Sequence, residues 1–155
     1  MGYTDYSSVA EYRMALKNAI DDAMDHEIAE KAQLAMMNAI EDYVYGVYSP
    51  IYTGRPGTIK SPRRIHGGLK DRANLFPNYT PATMTLTIEA IAPWQNVGFK
   101  KTTGSGTGGN DLSEVIEQSG MYGAPPRPFA FYAEDSYGKS KFSKDMKSAL
   151  VSRGL

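Results

Sequence analysis

SVAEYRMALKNAIDDAMDHEIAEKAQLAMMNAIEDYVYG, residues 8 to 46, opens on a capping box, Ser8-x-x-Glu11. Apolar residues then recur at Val9, Tyr12, Leu16, Ile20, Met24, Ile28, Ala32, Ala35, Met36, Ala39, Ile40, Tyr43, Val44 and Val47, which is helical spacing. No proline interrupts the run, and Gly46 followed by Pro50 can stop it. A helix of this length extends on the order of 55 to 60 Å at 1.5 Å per residue, whereas a 155-residue globule has a radius of gyration of only about 15 Å. Either the helix breaks near Asp25-His26 or part of it packs on another chain. The repeat is not a sustained heptad, which favours an amphipathic core helix over a coiled coil.

Beyond it the chain alternates loops with short elements. Residues 48 to 68 mix proline, glycine and bases without period and read as a loop. Residues 69 to 76, LKDRANLF, form a short helix ended by Pro77 in this reading. MTLTIEAIA, residues 84 to 92, sets Met84, Leu86, Ile88 and Ala90 against Thr85, Thr87 and Glu89, a half-buried strand. The glycines of 99 to 111 make a flexible surface loop, and LSEVIEQSG follows as a short element. In GAPPRPF, Pro125, Pro126 and Pro128 restrict the backbone and aim Phe129 at a fixed spot as the last helix begins. That amphipathic helix presents Phe142, Met146, Ala149 and Leu150 on one face, with Gly154 as its C-cap. The expected fold is α+β: a long N-terminal helix and a C-terminal helix packed on a small antiparallel sheet, in one domain spanning residues 1 to 155.

Composition narrows the chemistry. The chain has no cysteine, which removes disulfides, thiolate zinc sites and cysteine hydrolases. Its N-terminus lacks a secretory pattern and no apolar run approaches a membrane span, so a soluble, cytoplasmically made protein with no membrane partner is expected. The net charge of +0 hides a segregation. Residues 1 to 50 carry nine acids and three bases, whereas 51 to 75 carry six bases and one acid. An acidic half followed by a basic segment suits contact between copies, or with a charged partner; two solvated faces are the plainer reading.

Catalytic motifs are few. Gly104-x-Gly106-x-x-Gly109 matches the dinucleotide fingerprint in letters only, since no strand precedes it. His26-Glu27 with Glu30 lacks the second histidine of a zincin, and His26 and His66 are the only histidines. No cofactor, metal or catalytic residue is expected. The basic segment Arg55, Lys60, Arg63, Arg64, Lys70 and Arg72, with Tyr48 and Tyr52 upstream, could contact nucleic-acid phosphates. The simpler expectation is a loop that pairs with the acidic helix, because no motif organises these bases into a groove reader.

The order of features resembles the tail-completion or head-tail joining family of long-tailed bacteriophages. Members carry a TG-x-L step, a YA-x-x-(V/I)-E-x-G segment and a PF motif before the C-terminal helix. The counterparts here are His66-Gly67-Gly68-Leu69, then Ser113-Glu114-Val115-Ile116-Glu117-Gln118-Ser119-Gly120, then Arg127-Pro128-Phe129-Ala130-Phe131-Tyr132-Ala133. Leu112-Ser113 stands where the family has Tyr-Ala, and the Gly-rich stretch before Leu112 is an insertion. The resemblance implies a non-enzymatic structural protein of the virion neck, assembled in the bacterial host cytoplasm. Its copies would form a ring, a hexamer by family likeness, that joins the head connector or stopper to the tail tube or tail terminator. DNA would pass through the lumen without sequence-specific binding. A tail terminator, a minor capsid protein and a nucleic-acid-binding module are the alternatives. Taken with the charge segregation, the resemblance places subunit or partner contacts at Arg55, Lys60, Arg63, Arg64, Lys70, Arg72, Glu117, Arg127 and Phe129.

Overall fold

The computed structural model describes residues 5–46, 69–91 and 128–155. The fold is α+β. Its spine is one continuous helix of 37 residues, made of α1 (Val9–Ala23), a π turn (Met24–Ile28), α2 (Ala29–Ile40) and a second π turn (Glu41–Tyr45). The Ser8 hydroxyl accepts from the Glu11 amide at 3.1 Å, as a capping box requires. The reciprocal half is shifted by one residue: the Glu11 carboxylate accepts from the Ser7 amide at 2.8 Å and the Ser7 hydroxyl at 2.5 Å. At the far end, the Gly46 amide reaches the Glu41 carbonyl at 2.7 Å. A Cβ at Gly46 would stand 3.0 Å from the Asp42 carbonyl oxygen, so the closing turn favours glycine.

The helix does not break at Asp25-His26; it widens there into the first π turn. Leu16, Ile20, Met24, Ile28, Ala32, Met36, Ile40 and Val44 recur at every fourth residue. In an α-helix a four-residue step overshoots a full turn by about 40°, so this row would wind steadily around the cylinder. Each π turn takes in one extra residue and sets the row back. All eight side chains therefore stay buried or half-buried on the inward side.

Two strands form an antiparallel hairpin, β1 (Leu75–Thr80) and β2 (Thr85–Ala90), in register Leu75↔Ala90 through Thr80↔Thr85. In β2 the expected alternation holds, with Leu86, Ile88 and Ala90 half-buried and Thr85, Thr87 and Glu89 exposed. Met84 is not part of the strand: it is exposed, at φ 52, in the turn that reverses the chain. The short helix expected over 69 to 76 shrinks to one 3-10 turn, Arg72–Asn74, whose cap is the Asp71 carboxylate accepting from the Ala73 amide at 3.0 Å. Pro77 does not end a helix but sits within β1, opposite Ile88. A two-stranded ribbon has only edge strands, where half the backbone nitrogens point away from the partner and a proline is tolerated.

The C-terminal region also differs from a single closing helix. It holds two, α3 (Phe129–Gly138) and α4 (Phe142–Ser152), separated by a short turn. α4 ends as expected on Gly154, at φ 82. The Gly154 amide bonds the Val151 carbonyl at 3.0 Å and the Leu155 amide bonds the Leu150 carbonyl at 3.1 Å, which is the Schellman pattern.

Packing follows the spine. α3 and the hairpin lie against α2, while α4 lies against α1 and the first π turn. One core gathers Met36, Ala39, Ile40, Val44, Leu69, Leu75, Phe129 and Ala133; the other gathers Ala23, Met24, Ile28, Tyr137 and Ala149. Burial of a side chain such as Ile40 or Leu75 contributes about 1.5 to 3 kcal/mol. The one buried polar side chain among the described residues is Gln33, and it is fully used. Its Nε2 donates to the Leu75 carbonyl at 2.7 Å and the Arg72 carbonyl at 3.1 Å, while its Oε1 accepts from Arg72 Nε at 2.7 Å. This clamp fixes the hairpin on the spine where hydrophobic contact alone would allow sliding.

Candidate interaction surface

The acidic spine is neutralised largely from within its own chain. Lys70 pairs with Glu41 at 3.1 Å and Arg72 with Glu30 at 2.7 Å, so the two described members of the basic segment bind the helix of the same subunit. From the other end of the chain, Arg153 reaches Asp22 at 2.6 Å and Glu27 at 3.0 Å, and Asp145 of α4 meets Lys31 at 2.7 Å. These pairs are mostly exposed and each stabilises weakly, but together they fix which face of the spine meets which element. Sequence reading missed the part played by Arg153 and Lys31, since nothing local links positions more than a hundred residues apart.

Phe129, expected at a subunit or partner contact, is fully buried in the chain's own core beside Leu69 and Leu75. It is the anchor where α3 meets the spine and hairpin, and it offers no surface to a partner. Arg55, Lys60, Arg63, Arg64, Glu117 and Arg127, the segments 48 to 68 and 99 to 111 expected as loops, and the Gly104 to Gly109 string lie outside the described residues. His26 is exposed on the helix, its Nδ1 3.0 Å from the Asp22 carbonyl oxygen. Among the described residues no cluster of histidine and carboxylate side chains has the arrangement of a metal site, and no helix is long and apolar enough to cross a membrane.

Two surface features stand out among the described residues. The first is an aromatic group where the spine ends against α3. Tyr43 and Tyr132 stack at 3.8 Å and 5° between planes, and Phe131 meets Tyr132 edge-on at 5.6 Å. Phe131 is 59% exposed and Tyr43 40%. Asp42 precedes Tyr43 on the spine and Glu134 lies three residues beyond Phe131 on α3; both are exposed with no ion pair to a described residue, although the Glu134 charge also acts on Lys139. The FAFY string carries a signal for this: with Phe129 facing the core, Phe131 falls some 200° away around the helix. The second feature is the outer face of α4, where Lys144, Lys147, Ser148 and Val151 share one side at i, i+3, i+4 and i+7 spacing. Neither lysine has an ion pair to a described residue.

Titration behaviour follows the same contacts. The Arg153 guanidinium holds the Asp22 carboxyl below its ordinary 3.8, and Lys17, then Tyr79, do the same for Asp21. The Tyr79 hydroxyl donates to Asp21 at 2.6 Å, and this bond pushes the phenol up to about 12. Tyr137 is pushed to about 12 chiefly by burial and then by the nearby Asp145 charge, although its hydroxyl makes no hydrogen bond of ordinary geometry. For both tyrosines the fold favours the neutral form. Their contribution is therefore complete below the ordinary value of 10.0 and is lost as the pH rises through about 12. The aspartates act oppositely: their contribution is present above 3.8 and lost as the pH falls through their lowered values. The melting temperature of the wild type should fall between pH 10 and 12, and less steeply in Tyr79→Phe/Tyr137→Phe. Equal slopes in thermal scans of the two proteins would refute these assignments.

Set against known proteins, the chain matches no family model, no curated protein and no solved structure.

Proposed function

We propose that the chain is a structural protein of a phage neck, whose copies form a ring joining the head connector to the tail tube around a channel for DNA. The observation that carries this reading is the ordered set of short motifs on an α+β frame of long helix, small antiparallel sheet and C-terminal helices. Packing adds support: Leu69, at the end of the first motif, and Phe129, in the last, are both fully buried in one core. Residues far apart in the chain that belong to two motifs thus serve a common structural purpose. The reading assigns the protein no reaction. Engagement of Lys70 and Arg72 by Glu41 and Glu30 leaves fewer of the basic segment's charges for phosphates and disfavours a nucleic-acid-binding module.

The test is to inactivate the gene in its parent phage and view the lysate by negative-stain electron microscopy. Filled heads beside separate tails of normal length are expected. Overlong tails would assign the protein to tail termination instead, and intact infectious particles would refute a neck role.

A further inference from the structure

We propose that the lysine face of α4 on one copy docks on the aromatic-acidic patch of the next, giving a head-to-tail contact between copies of this chain. The two surfaces match in chemistry. One presents Lys144, Lys147 and the 42% exposed Val151; the other presents Phe131 with the Tyr43–Tyr132 stack, edged by Asp42 and Glu134. All four charges lack an ion pair to a described residue, while their neighbours are committed: Asp135 to Lys139, Asp145 to Lys31 and Glu41 to Lys70. Exposed rings near carboxylates that have no ion pair to a described residue suit a partner that supplies both aliphatic surface and cations, because lysine stems lie along aromatic faces while their ammonium groups reach the acids. The chain's own α4 supplies that combination.

Within one subunit neither lysine makes an ion pair with Asp42 or Glu134. α4 packs on α1 and the first π turn with its lysines exposed, and the Lys31–Asp145 pair sets the Lys144 end of α4 level with Lys31, so Tyr43 lies about 18 Å further along the spine at 1.5 Å per residue. Two different patches at separate places make a heterologous contact, which propagates from copy to copy. The apolar centre supplies affinity, and the charges set orientation and partner choice. The contact's place in a virion ring rests on the neck reading; the contact itself does not.

The experiment uses two full-length variants, each lacking one patch. Lys144→Glu/Lys147→Glu spoils the α4 face and keeps the aromatic patch; Phe131→Ser/Glu134→Gln does the reverse. All these positions are exposed, and circular dichroism confirms that each variant folds. In sedimentation velocity the wild type should self-associate, and should do so less as salt rises. Each variant alone should stay monomeric, and an equimolar mixture should form a 1:1 dimer that grows no further, because only one intact patch of each kind remains. A mixture that stays monomeric, or single variants that associate like the wild type, would overturn the proposal. A wild type that stays monomeric yet retains DNA through the lysine face would also overturn it. The particle phenotype is read independently, so failure of this contact and failure of the neck reading are told apart.

Discussion

Phe129→Ala lowers the free energy of unfolding by about 3 to 5 kcal/mol, the cost of emptying a large, wholly enclosed core position. Phe129 is 0% exposed and is among the largest fully buried side chains described. It shares a core with Met36, Ala39 and Ile40 of the spine, Leu75 of the hairpin and Ala133 of its own helix, with Ile88 and Ala90 of β2 at the margin. Three elements would therefore border the cavity, and none can collapse into it without breaking its own contacts. The Gln33 clamp, with its 2.7 Å bond to the Leu75 carbonyl, hinders the hairpin from moving in. Urea unfolding followed by circular dichroism measures the loss, with Phe129→Leu as the variant that keeps most of the volume and costs less. A loss below roughly 1 kcal/mol, the value for an ordinary substitution, would mean that Phe129 does not carry the junction.

Deleting one residue from the spine should have very unequal consequences at two places. Leu34 is 55% exposed in the regular turns of α2, so its side chain contributes little to the core. Removing its backbone unit turns everything before it by about 100° relative to everything after. Met24 and Ile28 would then leave the face they share with Met36 and Ile40, and Gln33 would leave the hairpin. A loss of at least roughly 3 kcal/mol is expected, on the scale of a truncated core side chain. His26 lies in the first π turn, which already holds one residue more than an α turn. Its deletion lets the turn close to α geometry and leaves the flanking faces aligned. A cost of about 1 kcal/mol is expected there, with the Tyr79 phenol still raised by its bond to Asp21. Equal losses for the two deletions, measured by urea unfolding, would mean that the π turn does not absorb the four-residue repeat.

Much of the frame was legible because it is written locally. The spine follows from apolar spacing and the Ser8 cap, β2 from its alternation, and the end of α4 from Gly154, each a matter of residues within one or two turns of one another. Phe129 was legible as an anchor because prolines precede it, although its place is inside the core rather than at a contact with another chain. β1 was not legible, because LFPNYT contains a proline and lacks regular alternation; it is a strand only because β2 and Gln33 hold it extended. The split of the C-terminal region into α3 and α4 was equally hidden in a string that scans as helix throughout.

The candidate surface depends still more on the third dimension. Charge segregation left open contact between copies, contact with a charged partner and pairing of the basic segment with the chain's own acidic helix, and for Lys70 and Arg72 the fold makes the last of these, with Glu41 and Glu30. It leaves Asp42, Glu134, Lys144 and Lys147 without an ion pair to a described residue, and a count of charges treats all eight alike. By itself the sequence determined the helical spine, one strand and the final cap, since backbone preference and short-range periodicity act within a few residues. Only the tertiary structure decided where the four-residue repeat would be taken up by π turns, which proline-bearing segment would become a strand and which charges would pair with one another. Those outcomes depend on contacts between positions brought together by folding, and no local pattern encodes them.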